Sequence, residues 1–258
     1  MCIRDRTQRF VYLHEGDVAD VRADSFLVYS REGTAVIREE KELAQTADAS
    51  EKGHFRHYMQ KEIFEQPQAL LDTLHGRLTN TDLLPESLGP AAAGLEDIEQ
   101  VHIVACGTSF HAGMVGRYWI EKLARISVNV ELASEFRYRE PVVPKKTLFI
   151  TLSQSGETAD TLAALRFAKE AGYDTTLTIC NSPQSSMVHE SDLVMMTRAG
   201  TEIGVASTKA FTTQLVSMLL VAGYLAKLRG VLSDTEESEL CRAVQMAPGH
   251  VEECLQMN

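Results

Sequence analysis

At 258 residues with 44% hydrophobic content, the chain is long enough to bury a sizeable core, as one large domain or as a domain with appendages. Its formal net charge of -11 argues against a nucleic-acid or membrane surface, because a phosphate backbone is repelled unless a local basic patch overrides the field, and no such patch is visible. The five cysteines, at positions 2, 106, 180, 241 and 254, have no metal-type spacing and read as free thiols in a reducing cytoplasm; no apolar run approaches the ~20 residues that span a bilayer, and the opening Met1-Cys2-Ile3-Arg4-Asp5-Arg6 lacks the apolar core of a secretion signal.

Residues 9–36 read as short strands around Phe10, Tyr12, Val18, Val21 and 26–29, punctuated by Glu15-Gly16-Asp17 and Arg31-Glu32-Gly33, a strip of sheet too small to stand alone. Residues 40–52 are polar without apolar periodicity and are expected to form a linker. Over 56–77, Tyr58, Ile63, Leu70 and Leu74 recur at roughly helical spacing, and Pro67 is expected to kink the helix or start a second one.

From residue 101 a regular alternation sets in. Apolar runs at 101–105, 128–132, 148–152, 176–179 and 193–196 are separated by Gly/Ser/Thr turns and amphipathic helices at about 110–123, 159–171 and 185–190, followed by long helices at 208–228 and 234–255. Continuous Val/Ile/Leu strands alternating with helices predict an α/β fold, a doubly wound parallel five-stranded sheet. The helix at 208–228 carries Phe211, Leu215, Val216, Met218, Leu219, Leu220, Val221 and Leu225, more than one buried face needs, so part of it is expected to await a partner.

Ligands of such sheets sit outside the carboxyl ends of the strands. Three turns there combine hydroxyl residues with glycine directly before a helix: Ala105-Cys106-Gly107-Thr108-Ser109, Ser153-Gln154-Ser155-Gly156-Glu157-Thr158, and Glu202-Ile203-Gly204-Val205-Ala206-Ser207-Thr208-Lys209. Exposed amides, hydroxyl donors and the positive end of a helix dipole suit a phosphate or sugar phosphate; the plainer reading is that Ser and Thr are simply good helix caps. Glu157 and Glu202 would repel such a ligand and are assigned to capping backbone N–H groups, while Lys209 is either solvated or a point charge toward the ligand. There is no Walker A sequence and Gly107 and Gly113 have the wrong spacing for a dinucleotide fingerprint, so no cofactor is expected, and no metal.

The runs 153–161, 105–109 and 200–214 closely resemble the first sugar isomerase (SIS) domain of the glucosamine-6-phosphate synthase family. Arg56-His57-Tyr58-Met59-Gln60-Lys61-Glu62-Ile63 and Glu65-Gln66-Pro67 are more specific to that family than the generic SIS signature. The resemblance implies a remnant of an α+β glutamine amidotransferase domain at 1–40, a linker and connecting helices at 41–90, the first SIS domain at 91–232, and at 233–258 a helical connection toward a second SIS domain. It implies phosphate binding by Thr108, Ser153, Gln154, Ser155 and Thr158, with Cys106, Gly107 and Ser109 at the pocket edge and Val205 and Ser207 lining the sugar site. The ligand would be fructose 6-phosphate or glucosamine 6-phosphate, and the full-length enzyme would be a homodimer.

No catalytic residue is assigned, since the family's glutaminase nucleophile and the acid, base and Schiff-base groups of its sugar chemistry match no segment here; the fragment is expected to bind and not to turn over. Cys2 is not followed by the apolar strand that an N-terminal nucleophile of this family precedes. Two other functions compete with the enzyme fragment. A stand-alone regulatory phosphosugar module would carry a basic helix-turn-helix upstream, and a single-domain sugar-phosphate isomerase would need a glutamate and histidine base at the pocket; neither feature is evident.

Overall fold

The computed structural model describes residues 9–42 and 52–257, and internal contacts divide the chain into two units, Met1–Gly53 and His54–Asn258. In the first unit, β1 (Arg9–Val11) is followed by an antiparallel meander of β2 (Val18–Val21), β3 (Phe26–Tyr29) and β4 (Ala35–Val36). Arg38 holds Asp17 through two hydrogen bonds of 2.7 and 2.8 Å. β5 (Glu40–Glu42) pairs antiparallel with β1, so the expected linker does not begin at Glu40. Ladder pairing uses backbone groups and needs no apolar side chains, and an Arg9–Glu40 ion pair joins the two strands.

The second unit opens with α1 (Tyr58–Phe64) and α2 (Gln66–Leu74); Pro67 sits in the first turn of α2, where its missing N–H costs nothing. Two 3-10 helices, Pro85–Leu88 and Pro90–Asp97, lead into the sheet. Its strands are β6 (Gln100–Ala105), β7 (Ser127–Leu132), β8 (Thr147–Ser153), β9 (Thr175–Cys180) and β10 (Leu193–Met196), all parallel in the order β10-β9-β8-β6-β7.

Side chains alternate across the sheet with the period of two that a strand imposes. Val101, Ile103 and Ala105 of β6, with Leu148, Ile150 and Leu152 of β8, enter one core; Val104 and Phe149 enter the other. The larger core is covered by α3 (Gly107–Leu123), α7 (Lys209–Leu228) and α8 (Asp234–Leu255), the smaller by α4 (Ala133–Phe136), α5 (Ala159–Ala171) and α6 (Ser186–Glu190). The chain leaves β6 through α3 on one face toward β7, returns past β6 to β8, and leaves β8 through α5 on the other face. Strand order therefore reverses between β6 and β8, and a crevice opens at their carboxyl ends.

The surplus of apolar residues on α7 has an internal explanation. The helix lies between α3, α2, α8 and the 3-10 segments, so it buries most of its circumference, and none of its large apolar side chains is among the exposed ones. α7 is long and apolar enough to cross a bilayer by length and composition alone, contrary to the expectation that no stretch is; it is mostly buried in protein. A capping box fixes the start of α8, with the Ser233 side chain accepting from the Glu236 amide and the Glu236 side chain accepting from the Ser233 amide.

Candidate functional site

At the reversal point the turns after β6 and β8 each run directly into a helix. Gly156, at φ +67°, lets the second turn double back; a Cβ there would collide with the Ser185 side chain and the Cys180 sulfur. Within this turn the Gly156 amide donates to Ser153 Oγ at 2.9 Å, the Glu157 amide donates to Ser155 Oγ at 3.2 Å, and Ser153 Oγ and Thr158 Oγ1 share a hydrogen bond of 3.2 Å. Ser155 Oγ accepts and so keeps its own proton to donate. Of the Ser153 and Thr158 pair one proton is spent between them and the other is left over.

The residue ahead of α5, Thr158, makes no side-chain cap, and neither does Cys106 ahead of α3. Neither residue's side chain therefore serves the first amides of its helix, an arrangement compatible with an anion at that point, while the Ser153 and Ser155 hydroxyls serve amides within the turn itself. Thr161 of α5 donates to Cys106 Sγ at 3.8 Å, joining the two turns, and Ser155, Gly107 and Thr108 are exposed while Ser153 and Ser109 are buried. Burial pushes the Cys180 thiol up, so it packs beneath the turn as a neutral group.

The third turn differs in electrostatics. Glu202 already occupies the start of α7: its Oε1 accepts from the amides of Thr208 at 2.8 Å and Ala210 at 3.1 Å, and Ser207 Oγ donates to its Oε2 at 3.3 Å. Glu157 likewise accepts from the Ser186 amide at 2.8 Å, at the start of α6. Both glutamates serve internal N–H groups. Lys209 is neither solvated nor a ligand group by its position: it is buried, with Nζ 2.7 Å from Glu65 Oε2. Val205 is fully exposed at the tip of the turn.

The turns holding Cys106, Gly107, Thr108 and Ser109 and Ser153, Gln154, Ser155 and Thr158 thus converge, whereas Val205 and Ser207 belong to a segment tied to them through two residues that the sequence reading passed over. Gln214 donates to Ser109 Oγ at 3.0 Å, and its Oε1 is buried without a partner among the described residues. Asn181 binds on both sides: its amide N–H donates to the Gln154 carbonyl at 3.3 Å, its Oδ1 accepts from the Ala199 amide at 2.7 Å, and its Nδ2 donates to the Gly200 carbonyl at 2.7 Å. The signal was available in Cys180-Asn181-Ser182-Pro183, a polar turn at another strand's carboxyl end, but it lacks the glycine that marked the other three. Concavities of about 560 Å³ beside Leu71, His75 and Gln245 and about 440 Å³ beside Pro85, Pro90 and Leu228 lie elsewhere and carry no comparable donor set.

Comparison with known proteins agrees with this geometry. The SIS domain family matches residues 94–223. The chain is 54% identical over 250 residues to a glutamine–fructose-6-phosphate aminotransferase (isomerizing) of Haemophilus influenzae, covering 96% of this chain and 41% of that protein, and 55% identical to its namesake in Vibrio cholerae with the same coverage. The chain therefore spans about two fifths of the length of these relatives. Among solved structures, the C-terminal domain of glucosamine-fructose-6-phosphate aminotransferase from Francisella tularensis superposes with a TM-score of 0.76 at 46% identity, covering 78% of this chain and 56% of that one. A five-stranded parallel sheet with two uncapped helix starts at its reversal point, and these relatives over nearly the whole length, lead to one conclusion: the chain belongs to the SIS domain family, in the branch that resembles the isomerizing aminotransferases.

Proposed function

We propose that the chain binds the phosphate of a hexose 6-phosphate, fructose 6-phosphate or glucosamine 6-phosphate, as the sugar-phosphate-recognising part of an isomerizing glutamine–fructose-6-phosphate aminotransferase in amino-sugar biosynthesis. One observation carries the reading: two spare hydroxyl protons, that of Ser155 and one from the Ser153 and Thr158 pair, stand beside the uncapped start of α5, next to the equally uncapped start of α3. Hydrogen bonds to a charged group contribute about 1.5 to 3 kcal/mol each, so several of them hold a phosphate without an arginine clamp. Gln154, Gly107 and Thr108 border the same crevice, and Val205 and Ser207 are assigned to the sugar end of the ligand.

The chain's contribution to the reaction is recognition, since hydroxyls and amides bind charge without moving protons. Among the described residues all four cysteines are free, in keeping with a reducing cytoplasm. The assembly assigned to the whole enzyme is a homodimer. Calorimetry with fructose 6-phosphate tests the reading: Ser155→Ala together with Thr158→Ala is expected to weaken binding by about 2 kcal/mol or more, roughly 30-fold, with the unfolding midpoint little changed, because both residues lie in a solvent-facing turn. Unchanged affinity in the double variant would overturn it.

A further inference from the structure

The third turn has a tip in solvent and a base fastened from an unexpected direction. Glu62, on α1, is 2% exposed, and its Oε1 accepts from two successive amides of the turn, Ile203 and Gly204, the latter at 2.9 Å. Its Oε2 lies buried with no hydrogen-bond partner among the described residues, and a Cβ on Gly204 would stand 2.5 Å from it. A side chain at position 204 would have to displace the carboxyl group, which lies against this stretch of backbone. One helical turn further on, Glu65 pairs with the buried Lys209 at 2.7 Å, and the Thr212 hydroxyl donates to Gln66 Oε1. Glu202 fastens the same segment from its other end by accepting from Thr208 and Ala210.

A surface turn does not need a buried glutamate from a separate helix merely to close a chain connection, and the unpaired Oε2 is costly to bury. What the arrangement accomplishes is a single backbone conformation for residues 202–208, whose tip would otherwise have the freedom of an exposed, glycine-containing loop. We propose that Glu62 is a positioning residue: by holding the Ile203 and Gly204 amides it sets where Val205 and Ser207 stand, and so sets discrimination for the sugar portion of the ligand over bare phosphate. The proposal rests on the hexose-phosphate reading given above. It assigns α1 a role in recognition although α1 supplies no group to the phosphate turns.

Two measurements on the full chain test it together. Amide hydrogen exchange reads the latch directly at Ile203 and Gly204, and calorimetry gives the affinities for fructose 6-phosphate and for inorganic phosphate. Glu62→Ala is expected to speed exchange at the two amides by about tenfold or more and to reduce the preference for fructose 6-phosphate over inorganic phosphate by about tenfold, with affinity for inorganic phosphate kept within about twofold. Glu62→Gln retains a carbonyl acceptor and is expected to restore most of both. Gly204→Ala drives a Cβ into the carboxyl group with α1 intact and should reproduce the Glu62→Ala signature, which keeps the test open where the alanine variant folds poorly. If the wild-type chain binds fructose 6-phosphate and these variants keep its preference, the positioning role fails, whether or not exchange changes. If the wild-type chain binds no fructose 6-phosphate at all, the hexose-phosphate reading fails, and the proposal with it.

Discussion

Gly156 concentrates in one residue the demands of the turn after β8: positive φ, no room for a methyl group, and an amide committed to Ser153 Oγ. Gly156→Ala is expected to lower stability by about 2 kcal/mol or more, from backbone strain plus collision with Ser185 and Cys180, and to weaken sugar-phosphate binding at the same time. Urea unfolding at a fixed ligand-free condition checks the first effect and calorimetry the second; an unchanged midpoint would mean that the turn relaxes freely. The turns after β6 and β8 were legible in the sequence because glycine, hydroxyl residues and a following amphipathic helix are a local pattern. Glu62 and Gln214 were not, since each acts on a segment far from it in sequence: Glu62 reaches across 142 positions to Gly204 and Gln214 across 105 to Ser109. Lys209 shows the same limit, because a lysine in a first helical turn reads as solvated until Glu65 is known to stand beside it.

Among the elements, β6 carries a polar residue into the smaller core. His102 is buried, its Nε2 lies 2.9 Å from Glu131 Oε1 on β7, and its Nδ1 lies 2.8 Å from Tyr173 Oη. A neutral ring protonated at Nε2 satisfies both contacts, donating to Glu131 and accepting from Tyr173, while Asn129 donates to Glu131 at 2.7 Å. Burial lowers the His102 pKa, opposed in part by Glu131; burial also holds the Tyr173 phenol up at about 12, so it remains a donor. The folded state therefore binds the His102 proton less readily than the unfolded chain does. Its contribution to stability is whole above the unfolded value of about 6.5 and declines as pH falls from there through the depressed folded value. Urea midpoints at about pH 7.5 and about pH 5.5 are expected to differ more in the wild-type chain than in His102→Phe, and equal differences would remove His102 as the source. Strands and long helices were readable because their periods persist over many residues. The four-residue α4 and the two 3-10 helices were not, having too few residues to show a period, and the all-round apolarity of α7 read as an unfilled interface when it reflects a helix with neighbours on several sides.

At the level of the whole molecule, both apolar cores draw their residues from 74–244, all within the second unit. Expressed alone, residues 54–258 are expected to unfold in one cooperative transition with a midpoint within a few degrees of that of the full chain, and to keep the fructose 6-phosphate affinity within about threefold. Thermal scans and calorimetry on the two forms decide this; loss of folding or affinity would show that the strands at 9–42 support the sheet domain. Those strands were visible as apolar fragments between turns, but β5 was not, because the sequence Glu40-Lys41-Glu42 carries no apolar pattern and the pairing is one of backbone register. One consequence of the winding extends beyond recognition. Because α3 and α5 begin at the same crevice yet cover opposite faces of the sheet, an anion held by both starts would rivet together two layers whose cores are otherwise separated by the strands. Occupancy would then act as a cohesive term shared by both halves of the domain, about 2.7 kcal/mol at a hundredfold excess over Kd, so that the abundance of the metabolite itself would govern how long the folded molecule survives.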